Sequence, residues 1–372
     1  MKSVILVFCM LFLNAVHAYA DDVNMNILSQ QMDIIDFSEI DYIIRNDIYT
    51  RNINITDLII QIVTGQFQFS IDNIWDIFLN TIMSEVAHNS ALIRNLIVIS
   101  FLSALLKNLS DSFSGTMVAE IAFYSCYIVL ITILFSSFRV SVSIVQDLLN
   151  SLINIMQATV PMILAMLYMS GNIAVAGAIN PIIVFGVHIL AVLIRDLIVP
   201  IIIFAAVIQI INYLSKKEFI SKFSSFIENG VKLGLKLTAV AFISILSFQG
   251  MAAPILNNIV NRSARALINT VPVVGDVLIG TIDIVATYAG ALRSGAMVAF
   301  IVVIVTMCVI PILQLVVLVV IYKVTAVVMQ PVCDERIVKC LDAVGNFTIL
   351  LLGAAVTVAV MFIFAVVIVL SV

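Results

Sequence analysis

The sequence predicts an all-α, polytopic integral membrane helical bundle with a cleaved N-terminal signal and a small external helical segment. Three observations carry this reading. Of the 372 residues, 63% are hydrophobic and only 11% charged, where soluble globular chains carry about 25% charged residues. Apolar runs near the roughly 20 residues needed to cross a bilayer recur from residue 91 onward. The polar residues gather instead in one stretch, 21–90, directly after a short apolar leader.

Residues 1–20 read as a secretory signal peptide. Lys2 supplies the positive start, residues 4–13 the apolar core, and Ala18-Tyr19-Ala20 a small-x-small cleavage site before Asp21-Asp22. Residues 21–90 form the extracytoplasmic polar segment. Positions 21–89 hold 11 of the 22 acidic residues but only two bases, Arg45 and Arg51. Ile55, Leu58, Ile59 and Ile62, and again Ile74, Ile77 and Phe78, recur at helical intervals and predict amphipathic helices. Such a segment is either a solvated cap or a docking surface for another protein.

Residues 91–372 form the multi-spanning membrane domain. The first five expected spans are 91–106, 117–138, 149–169, 173–194 and 197–214. The first carries Arg94, and the fourth and fifth are separated by Arg195-Asp196, which predicts a tight hairpin. A basic loop follows, with Lys216, Lys217, Lys222, Lys232 and Lys236 against Glu218 and Glu228. Basic loops stay in the cytoplasm, and five crossings from an external N-terminus end there too. The sixth span is 237–253. Residues 261–293 are ambiguous: Arg262, Arg265, Asp276, Asp283 and Arg293 punctuate an apolar stretch. That stretch is either a hairpin shielded by protein or a pair of surface helices. Spans at 296–321 and 347–370 complete eight, with both ends outside.

An internal repeat is possible at an offset of 111 residues: Pro161 falls on Pro272 and Pro200 on Pro311, with Asn150 on Asn261. Transporters and membrane scaffolds are often built from such repeats. The plainer reading is that each proline marks a helix kink.

No nucleotide-binding, zincin or nucleophile-elbow motif stands in a credible context. The net charge of −4 and the absence of a long basic cluster argue against a nucleic-acid partner. The cysteines, Cys9, Cys126, Cys308, Cys333 and Cys340, lack CxxC spacing and read as unpaired thiols, with no metal site, disulfide framework or cofactor expected. The candidate structural or functional residues are Pro161, Pro181, His188, Pro272, Gly275, Asp283 and Pro311. His188 lies within a span, where a proton relay competes with hydrogen bonding between helices. The prolines, with Gln157 and Asn180, either expose carbonyls to a pathway or serve as packing glue.

Several local patterns resemble one known family. They are Gly234-Leu235-Lys236, Gln249-Gly250-Met251-Ala252-Ala253-Pro254 and Val271-Pro272-Val273-Val274-Gly275, joined by Asp283, Pro311, Ile321-Tyr322-Lys323 and Gln330-Pro331. The chain is similar in these to the stage III sporulation protein AE family of endospore-forming Firmicutes, closely in its last third and loosely elsewhere. It departs from the family at Asp276, where Gly is usual. The resemblance implies a membrane subunit of an envelope-spanning secretion or channel-like apparatus between mother cell and forespore. The implied partners are other stage III sporulation membrane proteins, an associated ATPase and ring-forming proteins. The implied location is the mother-cell membrane surrounding the forespore, and no catalytic residues are implied. The rival expectation is an independent small-molecule or ion permease, suggested by the repeat, the proline-broken spans and His188. The scarcity of charges within the spans favours the first.

Overall fold

Apolar residues at helical spacing dictate helices, and every regular element is helical. The computed structural model describes residues 35, 37–47, 49–51, 53–66, 71–112, 117–169, 180–214, 221–268 and 274–371, with no strand among them. The expected signal peptide lies outside the described residues, as does Pro272. In order the helices are α1 (Ser38–Asn46), α2 (Ile55–Val63), α3 (Ile71–His88), α4 (Ser90–Ser112), α5 (Met117–Met169) and α6 (Asn180–Leu193). A π-helical turn, Ile194–Ile198, leads into α7 (Val199–Leu214), and α8 (Ser221–Ile268), α9 (Val274–Met329) and α10 (Glu335–Ser371) follow.

Among the described residues, five helices are long and apolar enough to cross a membrane, six if the bent pair formed by the end of α3 and α4 counts as one span. This corrects the expected eight. At 1.5 Å per residue, the 53 residues of α5 extend about 80 Å, more than twice the hydrocarbon thickness. The turn expected between 138 and 149 is absent. Most of its polar residues lie on the outer face, with Arg139, Ser143, Asp147 and Asn150 exposed, while Phe138, Ser141, Val142, Val145, Leu149 and Leu152 are buried. No glycine or proline interrupts this stretch, so amphipathicity rather than a loop accounts for its polarity.

The hairpin expected at Arg195-Asp196 is likewise absent. Both side chains face outward while Ile194, Ile198, Val199 and Ile202 continue the buried stripe. Pro200 has no N–H to give the carbonyl four residues back. The π turn absorbs this without reversing the chain, with Val199 N–H donating to the Ile194 carbonyl. Part of the basic loop is helical as well, since α8 begins at Ser221. The ambiguous stretch 261–293 is shared between the end of α8 and the start of α9. The offset repeat is not confirmed: Pro161 lies inside α5, whereas its counterpart Pro272 lies outside the described residues.

The core is the antiparallel pair α9 and α10, joined by 330–334 and flanked by α5 and α7. Phe300, Ile304, Leu315 and Tyr322 of α9 are buried with Val344, Leu351, Ala354 and Val358 of α10. Cross-links fix the ends. Tyr127 OH donates to the Tyr213 carbonyl at 2.9 Å, Cys333 Sγ to the Ser100 carbonyl at 3.3 Å, and Lys323 pairs with Asp342 at 2.6 Å. The middle of α4, the N-terminal part of α5, the C-terminal end of α7 and the α9–α10 turn therefore meet at one end of the bundle. Lys323, Arg336 and Lys339 lie in or beside that turn, and in sequence Lys216, Lys217 and Lys222 follow directly on α7.

The polar segment is fastened to this bundle. Asn54 caps α2, its side chain accepting from the amides of Thr56 and Asp57. Ile55, Ile59 and Val63, one face of α2, are buried. They meet α9 at Gly295, where even a methyl group would collide with Val63. The expectation of amphipathic helices here holds for α1 and α2.

Candidate functional site

The most connected polar site joins the segment before α2 to two of the long helices. After α1 the chain turns on Asp47, whose Oδ1 accepts from Tyr49 N at 3.0 Å and from Thr50 Oγ1 at 3.4 Å. Thr50, fully buried, also donates to the Ile44 carbonyl at 3.0 Å. The other Asp47 oxygen accepts from Ser151 of α5 at 3.2 Å. The Tyr49 hydroxyl donates to Gln314 Oε1 of α9 at 3.3 Å, and Gln314 Nε2 donates to Glu85 of α3 at 2.8 Å. Four elements are thus locked by side chains alone. Beside them is a cavity of about 350 Å³ lined by Tyr42, Asp47, Tyr49, Asp147, Ser151, Asn154 and Pro311, among others. Burial raises the Tyr49 phenol above its ordinary value; the Gln314 bond opposes this, and Glu85, Asp47 and Asp147 reinforce it.

A second polar cluster lies at the lysine-rich end. Lys323 Nζ reaches Asp342 Oδ1 at 2.6 Å and Asn346 Oδ1 at 2.7 Å, and Asn346 donates back to Asp342 at 3.1 Å. The Lys323 stem lies across Gly345, where a Cβ would stand 3.1 Å from its Cε. A cavity of about 400 Å³ beside it is lined by Gln209, Tyr213, Glu228, Lys339, Asp342 and Asn346, among others. Arg336 bonds Asp334 at 3.1 Å and lies 5.8 Å from the centre of the Tyr124 ring. Burial pushes the Cys333 thiol up to about 11, with Asp334 adding to the effect.

Both clusters can hold helices in register and present polar groups to a partner. Among the described residues, no three His, Cys, Asp or Glu side chains gather as a metal set, and Cys126, Cys308, Cys333 and Cys340 are free thiols. Of the seven residues singled out from sequence, Pro311 lines the first cavity. Pro161 is exposed on α5, and His188 is half-buried on α6 with its Nδ1 enclosed and without a hydrogen-bond partner. Pro181 stands at the second position of α6, and Gly275 and Asp283 in the first turns of α9; their side chains lie outside the described residues. Asp47, Tyr49, Glu85, Gln314, Lys323 and Asp342 escaped the sequence reading. A signal existed on α5, where the exposed Ser143, Asp147, Asn150, Asn154 and Gln157 recur every three or four residues.

Apolar helices of spanning length, with polar side chains collected at junctions and ends, define a multi-pass membrane protein. The chain belongs to the stage III sporulation protein AE family, whose model matches residues 53–372. It is 23% identical over 305 residues to the stage III sporulation protein AE of Bacillus subtilis (strain 168), covering 82% of this chain and 76% of that protein. No solved structure matches it. Asp47 and Tyr49 precede the matched region, so half of the first junction lies ahead of it.

Proposed function

We propose that the protein is a scaffold subunit of an envelope-spanning secretion or channel-like apparatus connecting mother cell and forespore. It acts by assembly rather than catalysis, beside other stage III sporulation membrane proteins, an associated ATPase and ring-forming proteins. Its place is the mother-cell membrane around the forespore, with the lysine-rich end in the cytoplasm and α1 outside. The carrying observation is the junction through Asp47, Tyr49, Gln314 and Glu85. It ties an acidic segment rigidly to the spans, while the outer face of α1 stays free, with Glu39, Tyr42 and Arg45 exposed. A partner docked there is held at a fixed position relative to the membrane. A permease reading rests on His188, whose enclosed Nδ1 lacks a partner. Isolation of the tagged protein from sporulating cells in mild detergent separates the two readings. Co-purification with other sporulation membrane proteins supports the scaffold. Isolation alone, with ion flux in vesicles that is lost in His188→Ala, overturns it.

A further inference from the structure

Where the exposed polar stripe of α5 meets the π turn, a polar cluster sits beside the exposed apolar face of α7. Arg195 grips Asp196 twice, Nε to Oδ1 at 2.6 Å and Nη2 to Oδ2 at 2.9 Å, and donates through Nη1 to Asn150 Oδ1 at 3.1 Å. The Asp196 side chain is 55% exposed and that of Arg195 28%. The pair lies near the middle of the 32-residue candidate span Ile182–Tyr213. Directly after it, Leu197, Ile201, Phe204 and Ile211 are exposed. Their steps of four, three and seven residues are those of a coiled-coil seam, whose apolar positions alternate at three and four.

Lipid covers an apolar seam adequately, but it offers no hydrogen bond or countercharge to a guanidinium and a carboxylate. A second copy of the same surface offers both. A two-fold interface sets the same patch of both copies together, an arrangement in which one copy's Asp196 can face the other's Arg195. Asn150 also suits such a contact, because an amide both donates and accepts. A helix of unrelated sequence would have to bring its own polar groups to match this patch, which a second copy carries already. We propose that the π turn and α7 form a homodimer interface within the membrane, with the apolar seam as its body and Arg195–Asp196–Asn150 as its polar head.

Disulfide cross-linking tests this in native membranes, using the full chain with its own cysteines replaced. Phe204→Cys gives a covalent dimer of twice the monomer mass, whereas Ala205→Cys, fully buried inside the bundle, gives none. Adding Asp196→Arg to Phe204→Cys sets like charges across the seam and lowers the dimer yield about tenfold. Adding Arg195→Asp to that variant restores the opposite-charge pattern and the yield. The proposal is overturned by absence of a Phe204→Cys dimer, by an equal Ala205→Cys yield, by an adduct with a different protein in place of the dimer, or by a yield indifferent to the charge changes.

Discussion

Replacing Gln314 with leucine cuts the junction at its centre while keeping a side chain of similar bulk in α9. The substitution removes the 2.8 Å bond to the Glu85 carboxylate and the 3.3 Å bond from Tyr49. A hydrogen bond to a charged group contributes about 1.5–3 kcal/mol. Glu85 is half-buried, which places it at the lower end, and the longer Tyr49 bond adds about 0.5 kcal/mol. About 0.5 kcal/mol of this loss is what holds the 47–51 connector, a roughly twofold shift toward its detachment, and about 1.5 kcal/mol holds α3 at Glu85, a shift of about tenfold. Hydrogen exchange on the full chain in detergent reads it directly. The amides of Arg51 and Ile53, bonded to the Asp47 and Thr50 carbonyls, exchange about twofold faster, those of α3 around Glu85 about tenfold faster, and those of α10 stay unchanged. Gln314→Glu is worse than Gln314→Leu at neutral pH, because it opposes Glu85 with a like charge. Unaltered protection at Arg51 and Ile53, or a loss shared equally by α10, refutes the reasoning.

Lys323→Met keeps the stem over Gly345 but strips Asp342 of its cation. The carboxylate is half exposed, so the cost is about 1 kcal/mol, seen as a thermal midpoint lower by roughly 2 °C and recovered by adding Asp342→Asn. The Cys333 thiol, raised to about 11, reacts through its thiolate. With the pKa raised, that form is scarce below the pKa, about one part in a thousand at pH 8. Maleimide labelling therefore accelerates about tenfold per pH unit up to about pH 11, and a plateau below pH 9 contradicts the burial. Impermeant thiol reagents in whole cells label Asp72→Cys but not Lys217→Cys, in a background with the native cysteines replaced; the opposite pattern reverses the orientation.

Composition and apolar periodicity made the helical membrane class legible, because lipid is the only solvent that accommodates so much apolar surface. Span boundaries were not legible from charge alone. Polar residues read as turns at 139–147 and 195–196 lie on the outer faces of continuous helices. The inward stripe through Val142, Val145, Leu149 and Ile198 was the better guide, since it runs unbroken past both places. The prolines fall inside helices, as their places within the expected spans implied: Pro161 and Pro311 sit inside α5 and α9, and Pro200 is accommodated by a π turn. The junction left little local trace, because Tyr49 meets Gln314 across 265 positions and Gln314 meets Glu85 across 229. Asp41 shows the same limit: its carboxylate accepts from the Ile55 amide at 3.2 Å and helps position α2, so it is not a free docking charge.

The central claim is that the acidic outer segment is a docking surface held rigidly on the spans. The most direct measurement compares partner recovery with tagged wild-type protein and with Asp33→Asn, Asp36→Asn and Glu39→Gln combined, leaving Asp41 intact. Each exposed charge pair contributes only about 0–1 kcal/mol, so the three are changed together. At matched expression, the account predicts that the variant inserts normally yet recovers less of its sporulation partners, with the deficit largest at low salt, where screening is least. Equal recovery from both proteins at low and high salt contradicts it.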